Sequence, residues 1–265
     1  MVLYLCLVPN RGARIGHQTH DYFSILTFCI KMNYNYVFHD FIANSAEFNK
    51  LLKLNEMHQF NYNKISKQMK VIQIEEIIDN IFSKLNEINL MEENICVYGQ
   101  ICGHEDLIYQ LNKYTNINDI RQTKLDHRVY FTINRSDLKI IQSDYVAIHL
   151  RCGDIINDQS RYLSVDYFIN QYQQLIKKIP ELINLRVYVV TEHNFSEDEY
   201  ITEKIPSCII IKQDACISLQ YLMFSKYLIA SRSGFSNLAY ILGNCQVIKP
   251  PLDWNDYYDN LIKFD

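Results

Sequence analysis

Three short polar clusters hold the residues of this chain best suited to bind an anion or to move a proton. The first, PNRGARIGHQ at 9–18, sets Gly12 and Gly16 four residues apart ahead of a helical pattern. Backbone N–H groups in such a turn can face an anion. The second, HLRCGD at 149–154, puts Arg151 directly after an apolar run, with Gly153 two residues on. A forked guanidinium suits a diphosphate there, and the glycine permits close approach. The third, SRSGFS at 231–236, offers Ser231, Ser233 and Ser236 around Gly234. Phe235, Leu238, Ala239 and Leu242 then recur at helical spacing, which makes Ser233 an N-cap. Each cluster also has a plainer reading: an ordinary strand-to-helix turn, an Arg151–Asp154 surface ion pair beside a core His149, and a capped helix.

The elements that must position these clusters follow from apolar patterning. Val2–Val8, Tyr36–His39, Lys70–Ile74 and Ile95–Tyr98 read as strands, with a helix over His17–Asn33 that turns Phe23, Leu26 and Ile30 inward. Asn44–Lys67 is polar and irregular, helix or loop on one face. In the second half, strand Tyr145–Leu150 precedes helix Val165–Lys178, whose Phe168, Tyr172, Leu175 and Ile176 face inward. Strands Arg186–Val190 and Cys208–Ile211, helix Ala215–Lys226, strand Tyr227–Ala230, helix Gly234–Leu242 and strand Gln246–Ile248 complete it. Strands alternating with helices on short connections define an α/β class with parallel sheets. Ligands of such sheets bind beyond the carboxyl ends of strands, where all three clusters fall.

Composition narrows the function. The 265 residues are 48% hydrophobic and 21% charged, which is globular, and a net charge of −4 with no basic cluster gives nucleic acid no electrostatic footprint. No apolar stretch approaches the ~20 residues of a membrane span. MVLYLCLVPNRG reads as a buried first strand rather than a signal peptide. The eight cysteines are scattered without a C-x-x-C pair, reading as small core residues of a reducing compartment, so a cytoplasmic location is expected. Glycine is scarce: seven residues, where ~7% usage would give about 19, and four of the seven lie in the three clusters. His17, His20 and Asp21 lack a third ligand marked by spacing, so no metal site is assigned. Cys152 beside Arg151 has no partner histidine marked by order and reads as an inert thiol.

Taken together, the clusters resemble those of the fucosyltransferases with an inverting GT-B fold, the α-1,2-, α-1,6- and protein O-fucosyltransferases. HLRCGD matches their H-x-R-R-G-D-like segment, SRSGFS their S-x-S-S-F-S-like segment, and GARIGHQ at 12–18 their G-x-G-N-Q-like turn. Order and spacing fit over nearly the whole chain, closest in pattern to the α-1,2 type. The resemblance implies two Rossmann-like domains with a cleft between them, acceptor-side over 1–138 and nucleotide-sugar-binding over 139–265. It further implies that Arg151 contacts the β-phosphate of GDP-fucose and stabilises the leaving diphosphate. Gly153 would permit that approach, with Asp154 and His149 shaping the loop or touching the nucleotide. Ser231, Ser233, Gly234 and Ser236 would bind the phosphates, Gly12, Gly16, His17 and Gln18 would close over the donor, and Thr191 and Glu192 would lie near the nucleotide.

The implied reaction is a metal-independent displacement at the anomeric carbon by a hydroxyl of a glycan or glycoconjugate acceptor. Its general base is one of Asp21, His20 and Asp40. No D-x-D segment stands ready for a metal, and no cofactor beyond the donor substrate is expected. Four positions depart from the pattern: Cys152 for the second arginine, His17 for the usual asparagine, and Asn237-Leu238 where aromatic residues often follow. Protein O-fucosyltransferases manage with one arginine at the Cys152 segment. Two alternatives remain open, a UDP- or dTDP-linked donor and an inactive nucleotide- or glycan-binding module of the same fold.

Overall fold

The computed structural model describes residues 3–8, 15–37, 62–73, 81–89, 94–100, 117–127, 144–151, 155–158, 160–192, 196–206, 208–243 and 245–250. The chain divides into two compact units, Met1–Ile133 and Asn134–Asp265.

In the first unit, strand β1 (Leu3–Val8) leads to helix α1 (Ile15–Met32), followed by the two-residue strand β2 (Asn35–Tyr36). A short helix α2 (Tyr62–Ile65), strand β3 (Lys70–Gln73), helix α3 (Ile81–Asn89), strand β4 (Ile95–Gln100) and helix α4 (Ile117–His127) complete it. The sheet order is β2-β1-β4-β3, all parallel, with β1 paired along its length to β4 from Leu3↔Ile95 to Val8↔Gln100. Helix α1 is buried from Asp21 to Cys29. It stops in a double hydrogen bond, Tyr34 N–H to Cys29 O at 2.8 Å and Asn33 N–H to Ile30 O at 3.3 Å, with Asn33 in the left-handed region at φ 56°. That is a Schellman stop with asparagine in place of glycine, and the Tyr34 ring packs edge-on to Phe28 as its apolar clasp. Ile30 corrects the inward face expected for this helix. It is 58% exposed, because the last turn has passed the edge of the core that Phe23 and Leu26 enter. A Lys31–Asp119 ion pair ties that turn to α4.

The second unit carries β5 (Tyr145–His149), helix α5 (Val165–Lys178), a 3-10 turn Pro180–Asn184, β6 (Arg186–Val190), α6 (Asp198–Lys204) and β7 (Cys208–Ile211). Helix α7 (Ala215–Met223), β8 (Tyr227–Ile229), α8 (Gly234–Leu242) and β9 (Gln246–Ile248) follow. Helix α7 ends three residues short of the patterned stretch, where Ser225 Oγ donates to Leu222 O and turns the chain into β8. Ser164 caps α5 by accepting from Tyr167 N–H, and Phe168, Tyr172 and Leu175 enter the core against Val146, Ile148, Val187 and Val189. Helix α8 is buried on every side from Ser236 to Leu242. Gly243 ends it against α7, where a Cβ would stand 2.1 Å from the Met223 carbonyl oxygen, so no larger residue fits without backbone movement.

All pairings in this sheet are parallel, in the order β7-β6-β5-β8-β9. Numbered within the unit, that is 3-2-1-4-5, the doubly wound Rossmann order without its sixth strand. The chain winds outward from β5 on one side and then returns to β8 on the other. The connections leaving β5 and β8 therefore diverge, and a crevice opens between the carboxyl ends of these two strands.

Candidate functional site

The two strands that flank the crevice deliver two of the three polar clusters to it. His149 is the last residue of β5, and Arg151 follows two residues later. Ser231, Arg232 and Ser233 fill the turn from β8 into α8, and Ser236 lies in that helix's first turn. Side chains 82 to 87 residues apart in sequence are thereby hydrogen-bonded. His149 Nδ1 stands 2.6 Å from Ser236 Oγ and 2.8 Å from Ser231 Oγ, while the two hydroxyl oxygens are 3.2 Å apart. Ser231 N–H also donates to Ser236 Oγ at 3.2 Å, and the Phe235 ring closes one side with its centroid 5.5 Å from the imidazole. Arg151 Nη1 donates to Ser233 Oγ at 3.4 Å. The same Oγ accepts from Phe235 N–H at 3.1 Å, so Ser233 caps α8 and steadies Arg151 at once.

The electrostatics follow from burial. His149 is 8% exposed, and its pKa is pushed down to about 3, first by desolvation and then by the neighbouring Arg151 guanidinium. The imidazole is therefore neutral near pH 7 and is no proton acceptor there. It serves as a fixed hydrogen-bond partner for two serines. Arg151 keeps its charge at 7% exposure. A buried guanidinium, three serine hydroxyls and the N-terminus of α8 make a cradle for an anion with several oxygens, such as a diphosphate.

Sequence patterning assigns no role to one neighbour of the cluster. Arg232 is 8% exposed, and its Nη1 donates to the backbone carbonyl of Ser160 at 2.8 Å, in the connection leaving β5. The signal for it was present: a cation directly before an N-cap, at the helix end where the macrodipole favours an anion.

The remaining expected residues stand as follows. Thr191 follows β6, buried, with its N–H on Ile211 O at 3.0 Å, and half-buried Glu192 comes next, so both occupy a carboxyl end of the same sheet. Gly234 opens α8. Gly16 and Gln18 are buried in the first turn of α1, in the other unit. Asp21 lies one turn further along the same helix, 1% exposed. The backbones of His17 and His20 belong to α1, but their side chains lie outside the described residues, as do Gly12, Asp40, Cys152, Gly153 and Asp154. Among the described residues no group of three or more His, Cys, Asp or Glu side chains could hold a metal ion, and no helix is long and apolar enough to cross a membrane.

Fold and site together define an α/β chain with parallel sheets and a buried arginine–serine–histidine cluster at a strand-order switch point. No protein-family model matches the chain, and no curated protein matches it by sequence. Among solved structures it is similar to POFUT1 in complex with GDP (crystal form III), with a TM-score of 0.51 at 13% identity over 92% of this chain and 97% of that chain. It is also similar to POFUT1 in complex with GDP-fucose (crystal form I), with a TM-score of 0.50 at 12% identity over 91% and 95%. At these identities the likeness is one of fold. Both of these structures are of POFUT1, not of the α-1,2 type that the motif pattern resembles most closely.

Proposed function

We propose that this chain is a glycosyltransferase that binds a nucleoside diphosphate sugar at the β5–β8 switch point, with GDP-fucose as donor and a glycan or glycoconjugate hydroxyl as acceptor. The observation that carries this reading is the placement of buried Arg151, beside Ser233 and the His149–Ser231–Ser236 cluster, at the carboxyl ends of the two strands where a 3-2-1-4-5 sheet receives its ligand. The fold likeness to POFUT1, solved with GDP and with GDP-fucose, supports the choice of donor. The finer subtype follows the single arginine: Cys152 stands where α-1,2 enzymes resembling this chain carry a second one.

In this reading Arg151 and the α8 N–H groups stabilise the charge that builds on the departing diphosphate, which is the main catalytic term. The reaction inverts the anomeric centre and needs no metal, because fixed cations and N–H dipoles do the work of one. Asp154 shapes the phosphate loop, and Gly12, Gly16, His17 and Gln18 contribute from the first unit. Asp21 is the candidate base, a role its carboxylate can fill only if it is uncovered when the acceptor binds. Residues 1–138 hold the acceptor side and 139–265 the donor side.

The test is thermal unfolding with GDP, UDP, dTDP, CMP and ADP in turn, without added metal. A nucleotide at 100 times its dissociation constant stabilises the fold by about 2.7 kcal/mol. Selective stabilisation by GDP is the expected result. A response confined to UDP or dTDP changes the donor, and silence with every nucleotide overturns the proposal.

A further inference from the structure

We infer that His149 gives the bound nucleotide a hydrogen bond from Nε2–H, and that Ser231 and Ser236 are positioning residues that hold the imidazole in the tautomer able to give it. The inference rests on the donor reading above. Within that reading it assigns the ligand-facing atom of the His149 cluster and the chemistry it meets, a phosphate oxygen. The two serines then belong to the cradle through His149, whereas Ser233 belongs to it through Arg151.

The tautomer follows from the hydrogens the cluster must place. Nδ1 stands 2.6 Å from Ser236 Oγ and 2.8 Å from Ser231 Oγ, with the two oxygens 3.2 Å apart, and Ser236 Oγ also accepts from Ser231 N–H. Both serines are buried, and among the described residues neither hydroxyl bonds outside the cluster. With Nδ1 bare, every hydrogen has an acceptor: Ser236 O–H donates to Nδ1, while Ser231 O–H and N–H both donate to Ser236 Oγ. With Nδ1 protonated, the two hydroxyl oxygens are the only acceptors left. One hydroxyl can donate to the other but not be repaid, so one buried O–H stays unmatched, the costly arrangement. Nδ1 therefore accepts, and the neutral ring carries its hydrogen on Nε2.

That N–H has no acceptor in the protein. The two ring nitrogens point in divergent directions, so Nε2 faces away from the α8 serines. Phe235 covers one side of the ring, no described residue bonds to Nε2, and Nε2 is not among the polar atoms sealed from solvent. It thus meets space that a ligand can enter, at the carboxyl end of β5. Arg151 lies within electrostatic reach of the ring and two residues further along the chain. An anion held by that guanidinium comes within range of Nε2–H, which adds direction without adding a second charge beside the arginine.

Two measurements test the inference. Long-range proton–nitrogen spectra of histidine-labelled protein, with His149 assigned by its absence from H149Q and H149N, should show Nδ1 bare and Nε2 protonated. GDP should shift the Nε2 signal most. A protonated Nδ1 overturns the inference whether or not GDP binds. The double variant S231A/S236A removes both donors to Nδ1 and should give a mixture of tautomers together with weaker GDP binding; a tautomer unchanged from wild type overturns the positioning role. Calorimetric titration of GDP then compares H149Q, whose amide nitrogen can take the place of Nε2, with H149N, whose amide reaches only the place of Nδ1. H149N should bind GDP at least about tenfold more weakly than wild type. H149Q should recover most of that loss, with unfolding midpoints recorded for both. Wild-type affinity in H149N, or an equal loss in the two variants, overturns the inference while leaving the donor reading standing. A wild-type protein that binds no GDP removes the donor reading and this inference with it.

Discussion

The two units bury ionisable groups in opposite ways. In the first, Cys6 on β1, Cys96 on β4, Cys29 on α1 and the phenols of Tyr22 and Tyr36 lie inside the core, amid one another. Burial pushes the thiol of Cys96 up to about 12 and raises Cys6, Cys29 and both phenols well above their ordinary range, so all stay protonated and uncharged. In the second unit the buried polar groups stand at strand ends, beside two arginines and a helix N-terminus. There burial suppresses the charge of His149 while leaving Arg151 and Arg232 cationic. Burial alone therefore does not make a site. A mid-strand thiol among thiols and phenols has nothing to stabilise its charged form, whereas the strand-end cluster has a guanidinium and a helix N-terminus beside it.

The comparison can be broken most decisively at Arg151. Arg151→Ala should lower transfer on the order of a thousandfold, the scale of losing a principal anion stabiliser, while circular dichroism and the unfolding midpoint show a folded protein. Cys96→Ala should do the reverse, costing about 1–2 kcal/mol of stability for a small buried side chain and leaving transfer intact. Retained transfer in Arg151→Ala would erase the distinction between the two regions.

A smaller effect separates the units by pH. The native His149 refuses a proton that the unfolded imidazole accepts below about pH 6.5, so the unfolded state binds more protons between there and about pH 3. Stability should fall as pH drops through that window, by up to about 1.4 kcal/mol per pH unit from this group, and His149→Asn should flatten the slope. The first unit should show the opposite limb. Its thiols hold protons that the unfolded chain releases above about pH 8.5, so stability falls as pH rises, and Cys29→Ala should relieve part of that loss. Urea midpoints across pH 4–10 check both limbs; an acid slope unchanged in His149→Asn would contradict the account of the imidazole.

The smallest effects compare two serines that cap helices of the same unit. Ser164 caps α5 alone, while Ser233 caps α8 and also accepts from Arg151. Each alanine variant should lose about 1 kcal/mol of stability. Only Ser233→Ala should also reduce the midpoint shift produced by GDP, and equal shifts in the two variants would separate Ser233 from the ligand.

Legibility in the sequence differed between the halves for physical reasons. Helix Val165–Lys178 and strands Arg186–Val190 and Cys208–Ile211 were readable to the residue, because apolar periodicity and capping residues coincide there. Helix Ile117–His127 offers too few apolar positions among its Asn, Asp, Gln and Lys residues to show a face, whereas Ile81–Asn89 carries one, with Ile81, Leu85 and Ile88 at i, i+4 and i+7, on a stretch of only nine residues. Ile30 was assigned inward since periodicity does not say where a helix outruns its core. The clusters at 149–154 and 231–236 were found as separate motifs. Their meeting required the β5–β8 pairing, which no local pattern encodes. Arg232 was hidden between two serines that drew the reading to capping.

The all-parallel pairing also bears on how the chain is made. Strand β1, an almost wholly apolar LYLCLV, has only two residues of partner in β2 and finds its full-length partner in β4, from Ile95 onward. At roughly 5–20 residues per second, a ribosome takes several seconds or more to reach β4 after releasing β1. Throughout that interval an unpaired apolar edge is open to other chains. Strand β5 waits less, since β6 begins at Arg186. Yield from a cell should therefore depend on whatever shields β1 during synthesis, and slowing translation between residues 9 and 94 should lower it more than slowing translation between residues 150 and 185.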